Sequence, residues 1–307
     1  KYVYLYKNIL NKDFFKKIRI LDGGMGQELL NRGVKPFGTI WGASALLKKK
    51  YHKLVVQTHL DFIKAGSEII VTNTFGCRKR RLIENGIGKK FIELNKIAGI
   101  LAKKAVKKSS KKIYIAGSLP PQNFTYFADL GKDLNFIKRN FYEQAKCLKP
   151  YVDFFYLDVM SSFKECKLAL DSISSLKKKV LVGIHVRSNG KLPSGENFLT
   201  VVKKLKKKNL LGIMTSCVSY EDVDFVIKDI KKIKIPFGFK INAFEHIPAG
   251  WKPDSNNPKI QLGKRKDLVP KKFLSICDKF SKKGATIIGG CCEITPTHIE
   301  KLKKLKP

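Results

Sequence analysis

Two cysteines stand side by side in the stretch GGCCEITPTHIE, residues 289–300. Two glycines precede them, and an apolar, largely β-branched run (Ala285, Thr286, Ile287, Ile288) leads in. Thiolates serve as nucleophiles, redox groups and ligands for soft divalent cations. In a regular strand, successive side chains point to opposite faces, so Cys291 and Cys292 could not serve one centre. They can if the strand has ended and the glycines let the backbone turn. A third thiol, Cys217, ends another β-rich run, LLGIMTSC.

The elements that must place these thiols recur along the chain. Eight near-continuous apolar runs fall at 18–24, 67–75, 112–120, 152–160, 179–186, 210–217, 235–242 and 285–292. Such runs suit strands covered on both faces. Amphipathic stretches lie between them. Residues 53–66 and 220–233 carry apolar positions at three- and four-residue spacing, and Gly66 is a helix stop. Eight strands alternating with helices predict an α/β fold, a (β/α)8 TIM-type barrel in a single domain. A doubly wound open sheet would usually carry a G-x-G-x-x-G first turn, and DGGMGQ has the wrong spacing. With no interdomain linker, residues 1–307 read as one barrel domain. Residues 1–16 form an N-terminal extension, and 243–272 a long loop after the seventh strand, with four prolines and Trp251.

Barrel chemistry collects at the C-terminal ends of strands. There the chain offers Asp22 and Gly23, Thr72 to Thr74, Ser118, Asp158, His185, Cys217, Asn242, and the cysteine pair. One strand separates Cys217 from the pair, about 10 Å at the backbone. Three thiolates suit Zn2+, and three protein ligands leave a coordination position free for chemistry. Other readings stay open: Cys217 as a packing thiol, the pair as a redox centre, or a nucleophile. A disulfide between neighbours would close a strained ring. Asn242 ends the seventh strand, and its amide oxygen could fill the fourth position without substrate, as could water. Cys147, Cys166 and Cys277 fall in amphipathic helices and read as packing. Cys77 could approach the site. His52, His59 and His246 show no ligand spacing, and His298 sits on the helix after the pair.

Composition narrows the classes. Hydrophobic residues make up 43% of the 307, with 20 Phe and 10 Tyr, which argues against disorder. No apolar run reaches membrane-spanning length. The start, KYVYLYKNIL, has too short an apolar part for a signal peptide, and the missing Met reads as a trimmed or partial N-terminus. Seven irregularly spaced cysteines without a secretion signal suggest a reduced, cytoplasmic protein with no membrane partner. The net charge of +37 raises nucleic acid as a partner. However, the lysine runs are scattered, and those at 111–112, 177–179, 206–208, 231–234 and 282–283 precede strands. That is the barrel face opposite the thiols, so the charge reads as solvated surface rather than a nucleic-acid site.

Five stretches, LDGGMGQELLNRG (21–33), VTNTFGC (71–77), IAGSLPP (115–121), RSNGKLPSGE (187–196) and IIGGCCEITPTHI (287–299), resemble the homocysteine S-methyltransferase family. The resemblance runs over residues 17–305. It implies a barrel that methylates homocysteine to methionine, with zinc held by Cys217, Cys291 and Cys292. It also implies that Asp22, Gly23 and Thr72 lie around homocysteine, and that Asp158 binds its amino group. Where the family has Glu and then a hydroxyl or aromatic residue, this chain has Asp158 and Val159, one methylene shorter. Around the first ligand it reads MTSCVSYED instead of Asn-Cys.

The expected reaction is attack of a zinc-activated thiolate on a methyl-onium donor, with no further catalytic residue. A barrel of this length suggests a small donor: S-methylmethionine, S-adenosylmethionine, betaine or a dimethylsulfonium compound. Trp41, Phe75, Phe124, Tyr126, Phe244 and Trp251 are candidates for a wall facing a cationic donor. Three alternatives carry different expectations. One is methyl transfer to another thiol. A basic nucleic-acid-binding barrel with structural cysteines would bind with steep salt dependence. A redox protein would hold no zinc.

Overall fold

The computed structural model describes residues 10–187, 189–205, 208–252 and 258–306. Its strands are β1 (Arg19–Ile20), β2 (Ile69–Val71), β3 (Tyr114–Leu119), β4 (Phe154–Met160), β5 (Val180–Ile184), β6 (Leu210–Val218), β7 (Phe237–Ile241) and β8 (Ile287–Gly290). All pair in parallel, in the order β1-β8-β7-β6-β5-β4-β3-β2. A parallel bridge from Leu21 to Ile69 joins the two outer strands. This is the expected (β/α)8 barrel.

Both cores follow from strand alternation. Outward residues such as Phe155, Leu157, Val182 and Phe239 pack under the helices. Inward residues Leu21, Ile69, Val71, Phe154, Tyr156, Leu181, Leu211, Met214 and Ile287 fill the barrel. Gly183 makes room for Tyr156, since a Cβ there would stand 2.7 Å from its ring and hydroxyl. Above this apolar filling the inward positions turn polar, which marks the floor of the site.

Several strands are shorter than the apolar runs. The run 18–24 yields only Arg19–Ile20, because the Asp22 carboxylate takes over the ladder by accepting the Val71 N–H at 2.8 Å. Residues beyond Val71 turn, with the Thr74 N–H donating to the Thr72 carbonyl at 2.8 Å. The helix His52–Ala65 stops at Gly66, whose φ of 118° is left-handed, as read from the sequence. The loop after β7 contains a short helix, Pro258–Leu262, and ends where Pro270 opens the helix Pro270–Lys282. Residues 253–257 of that loop lie outside the described residues, as do residues 1–9.

The described part of the N-terminal extension acts as a plug. A 3-10 turn, Lys12–Phe15, puts Phe15, fully buried, under the barrel. Its ring meets Phe154 edge-on at 6.4 Å, and Phe14 meets Tyr114 at 4.6 Å. Phe15→Ala is expected to lower unfolding free energy by about 3–5 kcal/mol, read from urea midpoints. A loss below about 1 kcal/mol would show that the plug is dispensable.

Candidate metal and substrate site

The adjacent cysteines serve one centre because β8 ends at Gly290. Cys291 still donates its N–H to Ile241 at 2.7 Å, and the chain then turns, Ile294 N–H returning to the Cys291 carbonyl at 3.1 Å. Ala243 N–H fixes the Cys292 carbonyl at 2.9 Å. The first loop closes over this turn so tightly that a Cβ on Gly24 would lie 2.7 Å from the Cys291 carbonyl oxygen. Opposite, the β6–β7 register shifts between Ser216 and Val218, and Cys217 sits at a φ of 55°. This irregularity re-aims the Cys217 side chain, as strand bulges do.

The three sulfurs converge. Cys217 Sγ lies 3.9 Å from Cys292 Sγ, and Cys291 Sγ 4.0 Å from Cys292 Sγ. All three lie within 4.8 Å of one another, and all are free thiols. A tetrahedral ion with about 2.3 Å bonds to sulfur has sulfur–sulfur edges near 3.8 Å. The donor set therefore fits a soft divalent cation with one corner open. Its charge behaviour agrees. Hydrogen bonds from Cys291 and then Cys292 hold the Cys217 thiol well below its ordinary pKa. The same Cys217 contact pushes Cys291 up to about 12 and Cys292 well up. Three thiols this close cannot all ionise without a cation between them.

Two side chains steady Cys217. The Tyr126 hydroxyl stands 3.2 Å from its sulfur, and Asn242 Nδ2 donates toward it at 3.7 Å. Asn242, the possible fourth ligand read from the sequence, stands beside the cluster. Its amide oxygen accepts the Phe244 N–H at 3.1 Å, so the amide presents nitrogen, not oxygen, to the sulfurs.

Asp158 lies on the cavity floor. Ser118 Oγ donates to its Oδ2 at 2.9 Å and Ser216 Oγ to its Oδ1 at 3.2 Å. The β4–β5 register shifts between Leu157 and Met160, and Val159 takes a φ of 72°. For a β-branched residue that is a strained backbone, and such strain clusters at functional sites. Burial pushes the Asp158 pKa up to about 6, against the pull of Lys240. Asp22 is fully buried, behind the residues that line the cavity. Its Oδ2 takes the Val71 N–H, and its Oδ1 meets Lys240 Nζ at 3.4 Å. Burial lifts it too to about 6. Gly23 and Thr72 do line the cavity. Gly23 is needed for close packing, since a Cβ would fall 2.2 Å from the Ile294 carbonyl oxygen. The Thr72 hydroxyl is committed to the Ser118 N–H at 3.0 Å and the Thr74 hydroxyl at 2.9 Å.

Sequence reasoning missed Lys240 and the Tyr126 contact to sulfur. The signal for Lys240 was a lysine inside the apolar run IPFGFKIN. By alternation, Phe237, Phe239 and Ile241 face the helices while Lys240 faces inward. Burial works against its charge, yet Asp22 and then Asp158 hold its pKa above the ordinary lysine value.

Of the six aromatic candidates, Trp41, Phe75, Tyr126, Phe244 and Trp251 line the cavity. Trp41 stacks on Phe75 at 6.1 Å and on Trp251 at 6.2 Å, while Tyr126 meets Trp251 at 6.0 Å. Phe124 instead packs on Phe127, under Arg80 and Lys252. Cys77 is buried against the Asn73 carbonyl, away from the sulfurs. His185 is buried with its ring 4.5 Å from that of Tyr126, and burial lowers its pKa to about 4. His298 closes a capping box with Thr295 and meets the Leu268 carbonyl at 2.9 Å.

Fold and site together define a (β/α)8 barrel with a three-thiol cluster able to hold a metal ion and an aromatic-walled cavity at its strand ends. A family model for homocysteine S-methyltransferase matches residues 19–305. Homocysteine S-methyltransferase 2 of Saccharomyces cerevisiae is 24% identical, over 94% of this chain and 93% of its own length. Homocysteine S-methyltransferase 1 of Arabidopsis thaliana is 21% identical, over 97% of both. The crystal structure of the homocysteine methyltransferase MmuM from Escherichia coli, in its metallated form, superposes with a TM-score of 0.77 at 19% identity, covering 94% of this chain and 96% of that one. The chain belongs to the homocysteine S-methyltransferase family and is a methyl-transferring enzyme.

Proposed function

We propose that this chain transfers a methyl group from a small onium donor to the sulfur of homocysteine, forming methionine, with Cys217, Cys291 and Cys292 holding Zn2+. The observation that carries the reading is the sulfur spacing, 3.9 and 4.0 Å for two pairs, on the cavity wall. When bound, zinc keeps a substrate thiol deprotonated near neutral pH, and three thiolate ligands keep that sulfur electron-rich.

The chain's own residues do the rest. Asp158 receives the substrate ammonium, held in place by Ser118 and Ser216. Gly23 lets the first loop close on the cysteine turn, and Thr72 shapes the wall. Asp22 acts behind the wall, on Lys240. The Tyr126 hydroxyl and the Asn242 amide N–H hold the Cys217 sulfur. Trp41, Phe75 and Trp251 offer π faces to a cationic donor and exclude water. The substrate thiol gives up its proton on binding. Its sulfur lone pair then forms the new bond to the methyl carbon, and the old methyl–heteroatom bond breaks with its pair staying on the departing, now neutral, donor. Alignment of the two contributes several kcal/mol.

Elemental analysis should find about one zinc per chain. Incubation with homocysteine and each of S-methylmethionine, S-adenosylmethionine, betaine and a dimethylsulfonium compound should yield methionine with at least one. Protein that retains no zinc and forms no methionine with any of them overturns the proposal.

A further inference from the structure

A buried ammonium with donors to spare lies on the cavity wall. Lys240 is 5% exposed and lines the cavity. Among the described residues its one hydrogen bond goes to Asp22 Oδ1, at a long 3.4 Å. A lysine ammonium carries three N–H donors. A buried cation normally has its donors satisfied, because an unmet charged donor is costly in a low-dielectric interior. A purely structural pair with Asp22 would be expected to close to the usual charge-assisted distance of about 2.8 Å. Asp22 is kept from doing so by its second anchor, the Val71 N–H at 2.8 Å. The Lys240 Nζ stands 5.7 Å from the centre of the Tyr156 ring, and the ammonium keeps N–H donors to spare in a residue that lines the cavity.

We infer that Lys240 binds the α-carboxylate of the amino-acid substrate. Asp158 lines the same cavity, its two oxygens anchored by Ser118 and Ser216. One anion and one available cation on one floor match the two charges of a zwitterionic amino acid. Lys240 and Cys291 line the same cavity. The site thus selects thiols that carry both head-group charges, and Asp22 is a positioning residue that aims Lys240. This inference rests on the methyl-transfer reading for the choice of substrate, but its readout does not.

The test compares three thiols by calorimetric affinity: homocysteine, 3-aminopropane-1-thiol, which lacks the carboxylate, and 4-sulfanylbutanoate, which lacks the amine. Lys240→Met should weaken homocysteine and 4-sulfanylbutanoate by about 30- to 100-fold, the scale of a lost hydrogen bond to a charged group, and leave 3-aminopropane-1-thiol unchanged. Because Lys240→Met strands a buried carboxylate, the double variant Asp22→Asn/Lys240→Met is measured beside it and should show the same pattern. Equal losses for all three thiols, or none, in the double variant would overturn the assignment. Homocysteine binding without methyl transfer from any donor would count against the proposed reaction and leave Lys240 to its own pattern. No binding of homocysteine to the parent would overturn both.

Discussion

Replacing Cys291 by serine is expected to strip the protein of zinc and cut methionine formation by on the order of a thousandfold. The magnitude comes from two losses that multiply. A free thiol of pKa about 8.5 is only a few per cent ionised at neutral pH, which removes about thirtyfold. Losing the anchor for the sulfur removes much of the benefit of alignment, a further ten- to hundredfold at least. Cys217→Ser and Cys292→Ser should behave alike, since the three sulfurs lie within 4.8 Å of one another. Cys166→Ala is the control. That thiol is buried under the helices, in the outer core, and the variant should keep its zinc. Metal content by elemental analysis and initial rates with the preferred donor read the result. A Cys291→Ser protein with full zinc and an undiminished rate would show that the cluster is not the reaction centre.

Legibility from the sequence followed the physics of each feature. The eight strands could be read because parallel strands covered on both faces need continuous apolar runs, and these alternate with amphipathic stretches. Cys217 and the pair could be brought together on paper because strand order in a closed barrel fixes which ends are neighbours. Their fine placement could not. It depends on Cys217 and Val159 at φ of 55° and 72°, conformations that neither side chain favours and that no local pattern announces. Asp22 was placed around homocysteine by the family resemblance, and it ends a strand. Its turn toward Val71 and Lys240 depends on a partner 49 residues away and another 218 away. Asn242 looked like an oxygen ligand because it ends β7 between the thiol-bearing strands. What decides its orientation is a single backbone N–H two residues on, at Phe244. Lys240 was passed over because one lysine in an apolar run looks like noise in a lysine-rich chain. The lysine count carries no information about function here, but the lysine facing inward does.

Lysine abundance and chemistry are segregated along the barrel axis. The runs at 111–112, 177–179, 231–232 and 282–283 lead into β3, β5, β7 and β8, while the sulfurs, Asp158 and the aromatic wall stand in the C-terminal parts of strands or in the loops that follow them. With a Debye length of about 8 Å at physiological ionic strength, those exposed charges are screened from the cavity across the length of a strand. The local electrostatics of the site therefore reduce to four groups: the thiol cluster, Asp158, Asp22 and Lys240.

Of these, Asp158 should show activity and stability pulling in opposite directions. Asp158→Asn is expected to raise the KM for homocysteine by about 100- to 1000-fold, the cost of removing one partner from a buried charged pair. The same substitution should raise the melting temperature at pH 8. Burial lifts the Asp158 pKa from 3.8 to about 6. A carboxyl whose folded pKa lies above its unfolded value contributes its stability fully below the unfolded value and loses it as pH rises through the folded one. The native state thus carries a destabilised anion above pH 6, by on the order of 3 kcal/mol. Asparagine removes that burden, although it meets the Ser118 and Ser216 hydroxyls less well than a carboxylate does. The stability gain should accordingly be largest at pH 8, shrink as pH falls through 6, and vanish near pH 4. In the parent, ionisation of the same group should make the KM for homocysteine fall as pH rises through about 6. Differential scanning calorimetry at pH 8, 6 and 4, with steady-state kinetics across the same range above pH 5, would decide it. An Asp158→Asn protein that binds homocysteine as tightly as the parent, or that melts lower at pH 8 than the parent by more than at pH 4, would show that this carboxylate is there for the fold and not for the substrate.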